Sequence, residues 1–291
     1  MPTGISLHIG LNTFDPDHYG YNGQLYGCEN DAKAMKAIAT SQGFTDTLLL
    51  TEEATTRNVV LAIKEAAAKL RSGDIFLMTY SGHGGQRWDD SGDEAKDESA
   101  SDQGGGLIWP VGGKDETFCF YDRQYLDDEL NRQLAQFASG VRILLITDCC
   151  HAASNFKDVE QEETDAPPVR SMGIDRSMEI IQRNRAVYDE AFMQSRDFLR
   201  ARDGLAASLT QLAACQDSQL SGDSHKDEPH PLGVFTSRLV NVWNNGAFNG
   251  SYEELVEQVG SRIPKNWNQT PQYLTEGPEN LEFAQQKPFS I

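Results

Sequence analysis

The chain has 291 residues and carries 44 acidic against 25 basic side chains, which gives a formal net charge of −19. This length suits one large α/β domain, and the charge argues against nucleic acid or an anionic membrane as the main partner. A basic peptide or a metal cation suits the charge better. No apolar run approaches the ~18 residues that span a bilayer. The start lacks a basic leader region, so we expect a cytoplasmic protein without a secretory signal.

Apolar periodicity predicts alternating strands and helices along the first half of the chain. In chain order we expect a strand at 5–11, a helix at 31–42, a strand at 47–51, a helix at 56–70, and strands at 74–81 and 141–147. The last two strands are nearly continuous apolar runs, which are typical of strands covered on both faces. This alternation predicts βαβ units and a parallel sheet.

Two acidic, polar stretches interrupt the alternation. Residues 88–106 are expected to form a long surface loop, and 155–168 begin an insertion that continues into a charged helix at about 178–202. The pattern then resumes with a strand at 209–215, helices at 234–243 and 252–263, and a last strand at 269–274. We therefore predict a single domain whose one sheet is interrupted by a long insertion.

The cysteines are expected to be reduced thiols. Their odd number and the lack of a Cys-x-x-Cys pair argue against a disulfide framework or a zinc site. The five residues are Cys28, Cys119, Cys149, Cys150 and Cys215.

A histidine and a cysteine follow two of the predicted strands. His83 comes after the strand at 74–81, and Cys150 comes after the strand at 141–147. Because the carboxyl ends of parallel strands meet at one edge of a sheet, we expect the two side chains to lie close together. A Cys–His pair is sufficient for thiol nucleophilic catalysis, and the glycines beside His83 leave backbone N–H groups free to face an oxyanion. Each residue alone also fits a structural role, as a loop histidine or as a buried core thiol.

The runs 80–84 (Tyr-Ser-Gly-His-Gly) and 148–151 (Asp-Cys-Cys-His) resemble motifs of the caspase-like cysteine peptidases, most closely metacaspases and bacterial orthocaspases. The resemblance implies an α/β fold: a caspase-like α/β/α sandwich with a mostly parallel six-stranded central sheet flanked by helices. It makes Cys150, which directly precedes histidine, the nucleophile, and His83 its partner. It also assigns the oxyanion hole to the backbone N–H groups of Gly84 and Cys150.

The resemblance extends over most of the chain. It divides the single peptidase domain into a large-subunit-like part at 1–154, an acidic and charged linker at 155–203, and a small-subunit-like part at 204–291. Further similar runs lie at 25–32, 107–110, 125–130, 213–219, 233–236 and 269–273. Ala152 and Ala153 depart from the family, which usually has Ser-Gly after Cys-His.

By the same resemblance, the substrate pocket holds Asp31 and Asp148, with Cys28 and Ser81 beside them. Two desolvated carboxylates favour a long cation and penalise an acidic side chain. We therefore predict an endopeptidase that cleaves peptides or proteins after Arg or Lys. The alternatives are an Asp-specific caspase-type peptidase and a catalytically silent caspase-like interaction module. Asp148 could instead cap the turn that follows it, and Asp31 could be an acid favoured by a helix dipole.

The resemblance also bears on regulation. The chemistry needs no cofactor, but many metacaspases are activated by calcium, and Asp127 and Asp128 align with the family's binding pair. Asp102 is a further candidate ligand in the acidic loop. The linker is expected to be a site of self-cleavage, with Arg170 and Arg176 as the candidate residues. We expect a monomer that binds neither nucleic acid nor membrane.

Overall fold

The structure is a computed structural model that describes residues 1–88, 114–150, 168–200, 204–216 and 219–291. Its strands are β1 (Gly4–Gly10), β2 (Thr45–Leu50), β3 (Ile75–Ser81), β4 (Gly84–Trp88), β5 (Lys114–Cys119), β6 (Gln124–Leu126), β7 (Arg142–Asp148), β8 (Ser208–Ala213) and β9 (Gln272–Glu276). Its helices are α1 (Pro16–Tyr19), α2 (Cys28–Ser41), α3 (Thr56–Lys69), α4 (Asp127–Leu134), α5 (Ile174–Arg183), α6 (Arg185–Arg200), α7 (Val234–Trp243), α8 (Tyr252–Ser261) and α9 (Leu281–Gln285). Within these ranges no helix combines the length and apolar character needed to cross a membrane.

The central sheet has six strands in the order β2-β1-β3-β7-β8-β9. The first five are parallel to one another, and β9 pairs antiparallel with β8 at one edge. Helices cover both faces of the sheet. The predicted fold class, a caspase-like α/β/α sandwich with a mostly parallel six-stranded sheet, is confirmed.

Alternate residues of β3 explain why the strand is apolar throughout. Phe76 and Met78 pack in a cluster that includes residues of α3 and α4. Ile75 and Leu77 face the other way and pack in a cluster with residues of α2, α7 and α8. Because successive side chains of a strand point to opposite faces, a strand covered on both sides requires a continuous apolar run.

The ends of three elements meet at the carboxyl edge of this sheet. Ser81, the last residue of β3, pairs in register with Asp148, the last residue of β7. The first turn of α2 approaches the end of β1, where a Cβ on Gly10 would lie 2.3 Å from the carbonyl oxygen of Cys28. Only glycine permits this approach. The start of α2 therefore lies near the same edge as the ends of β3 and β7.

The structure differs from the predicted elements in several places, and helices α1, α4 and α9 were not predicted. A small antiparallel sheet of β4, β5 and β6 was not predicted, and Trp88, which was expected to open a loop, ends β4. The rest of the predicted loop at 88–106 lies outside the described residues, as does the predicted loop at 155–168 apart from its last residue. The helix expected at 178–202 is two helices, which begin at Ile174 and break at Asn184. At the break, the side-chain amide of Asn184 donates to the carbonyl of Ile180 in the last turn of α5 and to the carbonyl of His18.

Candidate active site

His83 and Cys150 follow the paired ends of β3 and β7. Each lies two residues beyond one member of the register pair Ser81 and Asp148. Both side chains are buried. The parallel register therefore brings the two segments to the same edge of the sheet at the same level.

The His83 ring is oriented by a backbone carbonyl. Its Nε2 lies 3.1 Å from the carbonyl oxygen of Gly23. A carbonyl only accepts, so Nε2 carries the proton and Nδ1 of the neutral ring carries a lone pair. Nδ1 is buried and has no hydrogen-bond partner among the described residues. Burial lowers the pKa of His83 to about 4, so the ring is neutral at physiological pH and available as a base.

The two neighbouring thiols at the end of β7 have different acidities. Burial works to raise the pKa of Cys150, but hydrogen bonding with Cys215 and with the backbone of Ser221 outweighs it, so this pKa lies below its usual value. Burial raises the pKa of Cys149 well above the usual range. Since the thiolate is the reactive form, Cys150 is the better nucleophile of the pair.

The side chain of Arg170 is fully buried in a pocket at this edge. Its guanidinium nitrogens lie 2.6 Å from Asp31, 3.1 Å from Asp148 and 2.7 Å from Asp223. Its Nη1 also donates to Ser81 Oγ at 2.7 Å. A buried charge is stable only when it is paired and hydrogen-bonded in this way. The guanidinium of Arg170 is therefore fully paired within the pocket.

Neutral donors around the pocket fix the positions of its three carboxylates. At 2.6–3.1 Å, Ser81 and Gly233 donate to Asp31, Ser221 and Thr236 donate to Asp148, and Tyr26 and Gly27 donate to Asp223. Burial raises the pKa of Asp31 to about 7 despite the nearby Arg170. For Asp223, burial acts in the same direction, but Arg170 outweighs it and holds the pKa below its usual value. Asp223 is thus ionised throughout the neutral range, whereas Asp31 holds a proton for part of the time.

The backbone of Arg170 is bound as firmly as its side chain. Its carbonyl oxygen accepts the N–H groups of Gly84 at 3.1 Å and Cys150 at 3.2 Å, the two amides predicted to form an oxyanion hole. Its own N–H donates to the carbonyl of Ser221 at 3.0 Å. On the other side, the N–H of Met172 donates to the carbonyl of Gly84 at 2.7 Å. The segment is therefore held in an extended form, as a peptide is when it pairs with strand edges.

Two glycines form walls of the pocket. A Cβ on Gly27 would lie 2.9 Å from Nη2 of Arg170, and a Cβ on Gly233 would lie 2.5 Å from Nη1. Both residues have ordinary negative φ angles. The space for the guanidinium, and not the backbone conformation, therefore requires glycine here.

The predicted pocket residues meet around Arg170. Asp31, Ser81 and Asp148 contact its guanidinium, and Cys28 is buried in the first turn of α2 with its thiol pKa raised by burial. Arg176, the other candidate for self-cleavage, lies elsewhere. It is on α5 with its guanidinium carbon 4.0 Å from the centre of the Tyr21 ring, a cation–π contact.

Several members of the site, among them Asp223 and Gly23, have no counterpart in the sequence-based prediction. Asp223 lies in the segment after β8, at the same edge of the sheet, and its position beyond a strand end was the signal that could have found it. Gly23 contributes only its carbonyl oxygen to His83. Because every residue has a carbonyl, no sequence signal distinguishes this one.

The structure describes two of the three predicted calcium ligands, Asp127 and Asp128. Asp127 and Asp128 begin α4, and Oδ1 of Asp127 accepts the N–H of Asp128 at 2.8 Å. Burial, followed by the charges of Asp128 and Asp115, raises the pKa of Asp127 well above its usual value. Asp102 lies outside the described residues, and the described part of the chain contains no group of three His, Cys, Asp or Glu side chains placed to hold a metal ion. Calcium binding therefore stays a prediction, for which carboxylate oxygens are suitable donors.

The sheet and the residues at its carboxyl edge define a caspase-like peptidase domain. The sequence matches the caspase domain family, peptidase family C14, over residues 3–281, and the chain belongs to that family. Metacaspase-1 of Scheffersomyces stipitis is 23% identical over 96% of this chain and 72% of its own length. Metacaspase-1 of Saccharomyces cerevisiae is 24% identical over 96% of this chain and 68% of its own length. The crystal structure of protein GSU0716 from Geobacter sulfurreducens superposes with a TM-score of 0.80 and 36% identity, covering 100% of this chain and 99% of that one.

Proposed function

We propose that the protein is a cysteine endopeptidase that cleaves peptide bonds after Arg or Lys, with Cys150 as nucleophile and His83 as base. The observation that carries this proposal is the binding of Arg170. Its guanidinium contacts three carboxylates, and its carbonyl oxygen accepts two N–H groups, one of them from Cys150 itself. An acidic side chain in the same pocket would be repelled by three carboxylates, which disfavours cleavage after Asp.

The proposed reaction uses groups already described. Nδ1 of His83 accepts the thiol proton of Cys150, and the sulfur attacks the carbonyl carbon of the residue in the pocket. The N–H groups of Gly84 and Cys150 stabilise the oxyanion that forms. His83 then returns the proton to the leaving amine, and water hydrolyses the thioester.

We also propose that the protein cleaves its own linker after Arg170. The support is that residues on both sides of the bond between Arg170 and Ser171 pair with fixed backbone in an extended form. Arg176, in contrast, lies within α5, where the helix already engages its backbone. A helical peptide cannot pair with strand edges, so the bond after Arg176 is a poor substrate.

Four purified proteins test the self-cleavage: wild type, Cys150→Ala, Arg170→Gln and Arg176→Gln. Fragment masses should show cleavage after residue 170 in the wild type and in Arg176→Gln, because neither protein changes the bound segment. Cys150→Ala should stay whole, and Arg170→Gln should stay whole at this bond. Fragmentation of Cys150→Ala at the same bond would exclude self-cleavage.

Peptide reporters test the specificity. A reporter must displace Arg170 from the pocket, so wild type and Arg170→Gln are both assayed. Each should release a reporter placed after Arg or Lys, with and without added calcium as separate arms, and should leave an Asp reporter uncut. Hydrolysis after Asp but not Arg would contradict the proposed specificity. If wild type and Cys150→Ala were equally inactive on every reporter, the silent interaction module would be the better description.

A further inference from the structure

We infer that cleavage after Arg170 is reversible, so that the site also acts as a peptide ligase that rejoins Arg170 to Ser171. This inference rests on the proposed function, because it uses the same thiol and the same pocket. It goes further by assigning a second reaction, the formation of a peptide bond, to the occupied site.

The amino side of the bond stays bound whether or not the bond is intact. The guanidinium of Arg170 has its three carboxylate partners, and the N–H of Arg170 donates to Ser221 at 3.0 Å. The N–H of Asp223 donates to the carbonyl of Pro168 at 2.6 Å. None of these contacts involves the bond that is cut, so the new carboxyl group of Arg170 remains on the N–H groups of Gly84 and Cys150.

The carboxyl side is anchored independently. Met172 and Ile180 are about 1% exposed and pack in a cluster with Phe14, Tyr19 and Cys119. On α5, Arg176 stacks on Tyr21 and Arg183 donates to the carbonyl of His18 at 2.6 Å. The N–H of Met172 keeps its bond to Gly84 at 2.7 Å. After cleavage, the new amine of Ser171 is therefore held next to Cys150.

The reverse reaction is the forward reaction read backwards. The Cys150 thiol condenses with the Arg170 carboxyl group to form a thioester and releases water. The neutral amine of Ser171 attacks the thioester carbonyl, the carbon–nitrogen bond forms, the carbon–sulfur bond breaks, and the amine proton returns through His83 to the thiol. No oxidant, reductant or further reactant is consumed.

Retention of both ends changes the balance between cut and uncut chain. For two free peptides, hydrolysis dominates because the fragments separate. Here the amine stays tethered at the site, and an intramolecular reaction with well-oriented groups behaves as if the amine were very concentrated. We therefore expect cutting to stop short of completion, at a fraction that does not depend on protein concentration.

Heavy-oxygen water provides the test. Wild type and Cys150→Ala are incubated in it, the uncut chain is isolated by denaturing electrophoresis, and an acid-specific endopeptidase releases residues 166–175. If the bond is hydrolysed and rejoined, this peptide from uncut wild type should carry one heavy oxygen at the Arg170 carbonyl, and the same peptide from Cys150→Ala should carry none. A cut chain that accumulates label beside an unlabelled uncut chain would overturn the ligase inference while leaving the peptidase intact. Absence of any cutting, together with inactivity on Arg reporters, would instead refute the proposed function.

Variants that weaken the docking of the Ser171 side give a second readout. Ile180→Ala and Arg176→Ala weaken the hold on the Ser171 side, and each should raise the plateau ratio of cut to uncut chain, by about tenfold for a loss of roughly 1.4 kcal/mol of docking. Val187→Ala is the matched control, since Val187 lies on the following helix, α6, and is 49% exposed. Its plateau should equal that of the wild type. An identical plateau in all three variants would contradict the inference.

Discussion

At the scale of single residues, the three carboxylates of the pocket have unequal roles. Asp223 contacts two nitrogens of Arg170, at 3.3 and 2.7 Å, and its pKa is held below the usual value. Asp31 contacts one nitrogen, and burial raises its pKa to about 7. Near neutral pH, Asp223 therefore supplies more of the negative charge that pairs with the guanidinium than Asp31 does.

We accordingly expect Asp223→Asn to be more harmful than Asp31→Asn. A hydrogen bond to a charged group contributes about 1.5–3 kcal/mol, so Asp223→Asn should lower kcat/KM on an Arg reporter by roughly 10- to 150-fold. Asp31→Asn should lower it by less, because the native carboxyl already holds a proton for part of the time. The measurement is kcat/KM of both variants at pH 7.5, with melting temperatures as the control for folding. Equal losses would contradict this division of roles.

The lowered pKa of His83 leads to a second prediction, about activity at acid pH. The ring acts as a base only when it is neutral, and a pKa lowered to about 4 keeps it neutral far below the usual value of 6.5. The rate of self-cleavage should therefore persist as the pH falls through 6.5 and should decline only as it approaches about 4. Protonation of Asp31 near pH 7 should add no more than a shallow step, since Asp148 and Asp223 still hold Arg170.

Initial rates of fragment formation between pH 4 and 8 would check this, with Cys150→Ala as the blank. A half-maximal rate at about pH 6.5 would mean that the buried ring behaves like an exposed one.

The sequence motifs predicted the candidate site residues themselves, but not the residues that these side chains contact in the folded chain. His83 and Cys150 were found because each directly follows an apolar strand. The bound state of Arg170 could not be found in this way, because it depends on where the chain returns after a long insertion. A local pattern identifies a basic residue in a linker, but only the folded chain shows which one is buried.

At the scale of elements, the amino end of α7 organises the pocket. Gly233, at its N-cap, donates its N–H to Asp31, and Thr236 in the first turn donates its N–H to Asp148. The amide groups at the start of a helix favour negative charge, so α7 positions both carboxylates beside Arg170.

The glycine at this N-cap yields a third prediction. In Gly233→Ala the new Cβ would lie 2.5 Å from Nη1 of Arg170, while the backbone angle tolerates alanine. Overpacking of this kind costs about 1–3 kcal/mol, so kcat/KM on an Arg reporter should fall by roughly 5- to 150-fold. Gly173→Ala is the matched control, because a Cβ there meets nothing within 4 Å at the N-cap of α5. Similar activities in the two variants would show that the pocket wall moves freely.

Elements with a strong apolar pattern could be predicted from the sequence, and elements without one could not. β3 and β7 are buried on both faces, so their apolar runs leave no alternative. β5 reads Lys-Asp-Glu-Thr-Phe-Cys, and β4 is mostly polar or glycine, so neither displays a strand pattern. The small sheet exists because these segments pair with one another, and pairing between distant polar segments leaves little trace in local composition.

At the scale of the whole molecule, the proposed cut divides the central sheet. β1, β2, β3 and β7 precede residue 170, whereas β8 and β9 follow it. β7 and β8 are neighbours in the sheet, and they pair over six residues. The helices are divided in the same way, because α2 lies before the cut and packs in one cluster with residues of α7 and α8. The two fragments therefore share this apolar cluster.

This shared cluster leads to the last prediction, that the cut protein stays in one piece. Separating the fragments would expose the edge of β7 and an apolar cluster to water, and burial of apolar surface contributes roughly 25 cal/mol per Å². Cut wild type should therefore elute from size exclusion at neutral pH as one species, at the volume of uncut Cys150→Ala, which we expect to be a monomer. It should also unfold in a single transition, because the apolar cluster that α2 forms with α7 and α8 is built from both fragments. A fragment beginning at Ser171 that eluted alone and kept its circular dichroism would show that the sheet is not one cooperative unit.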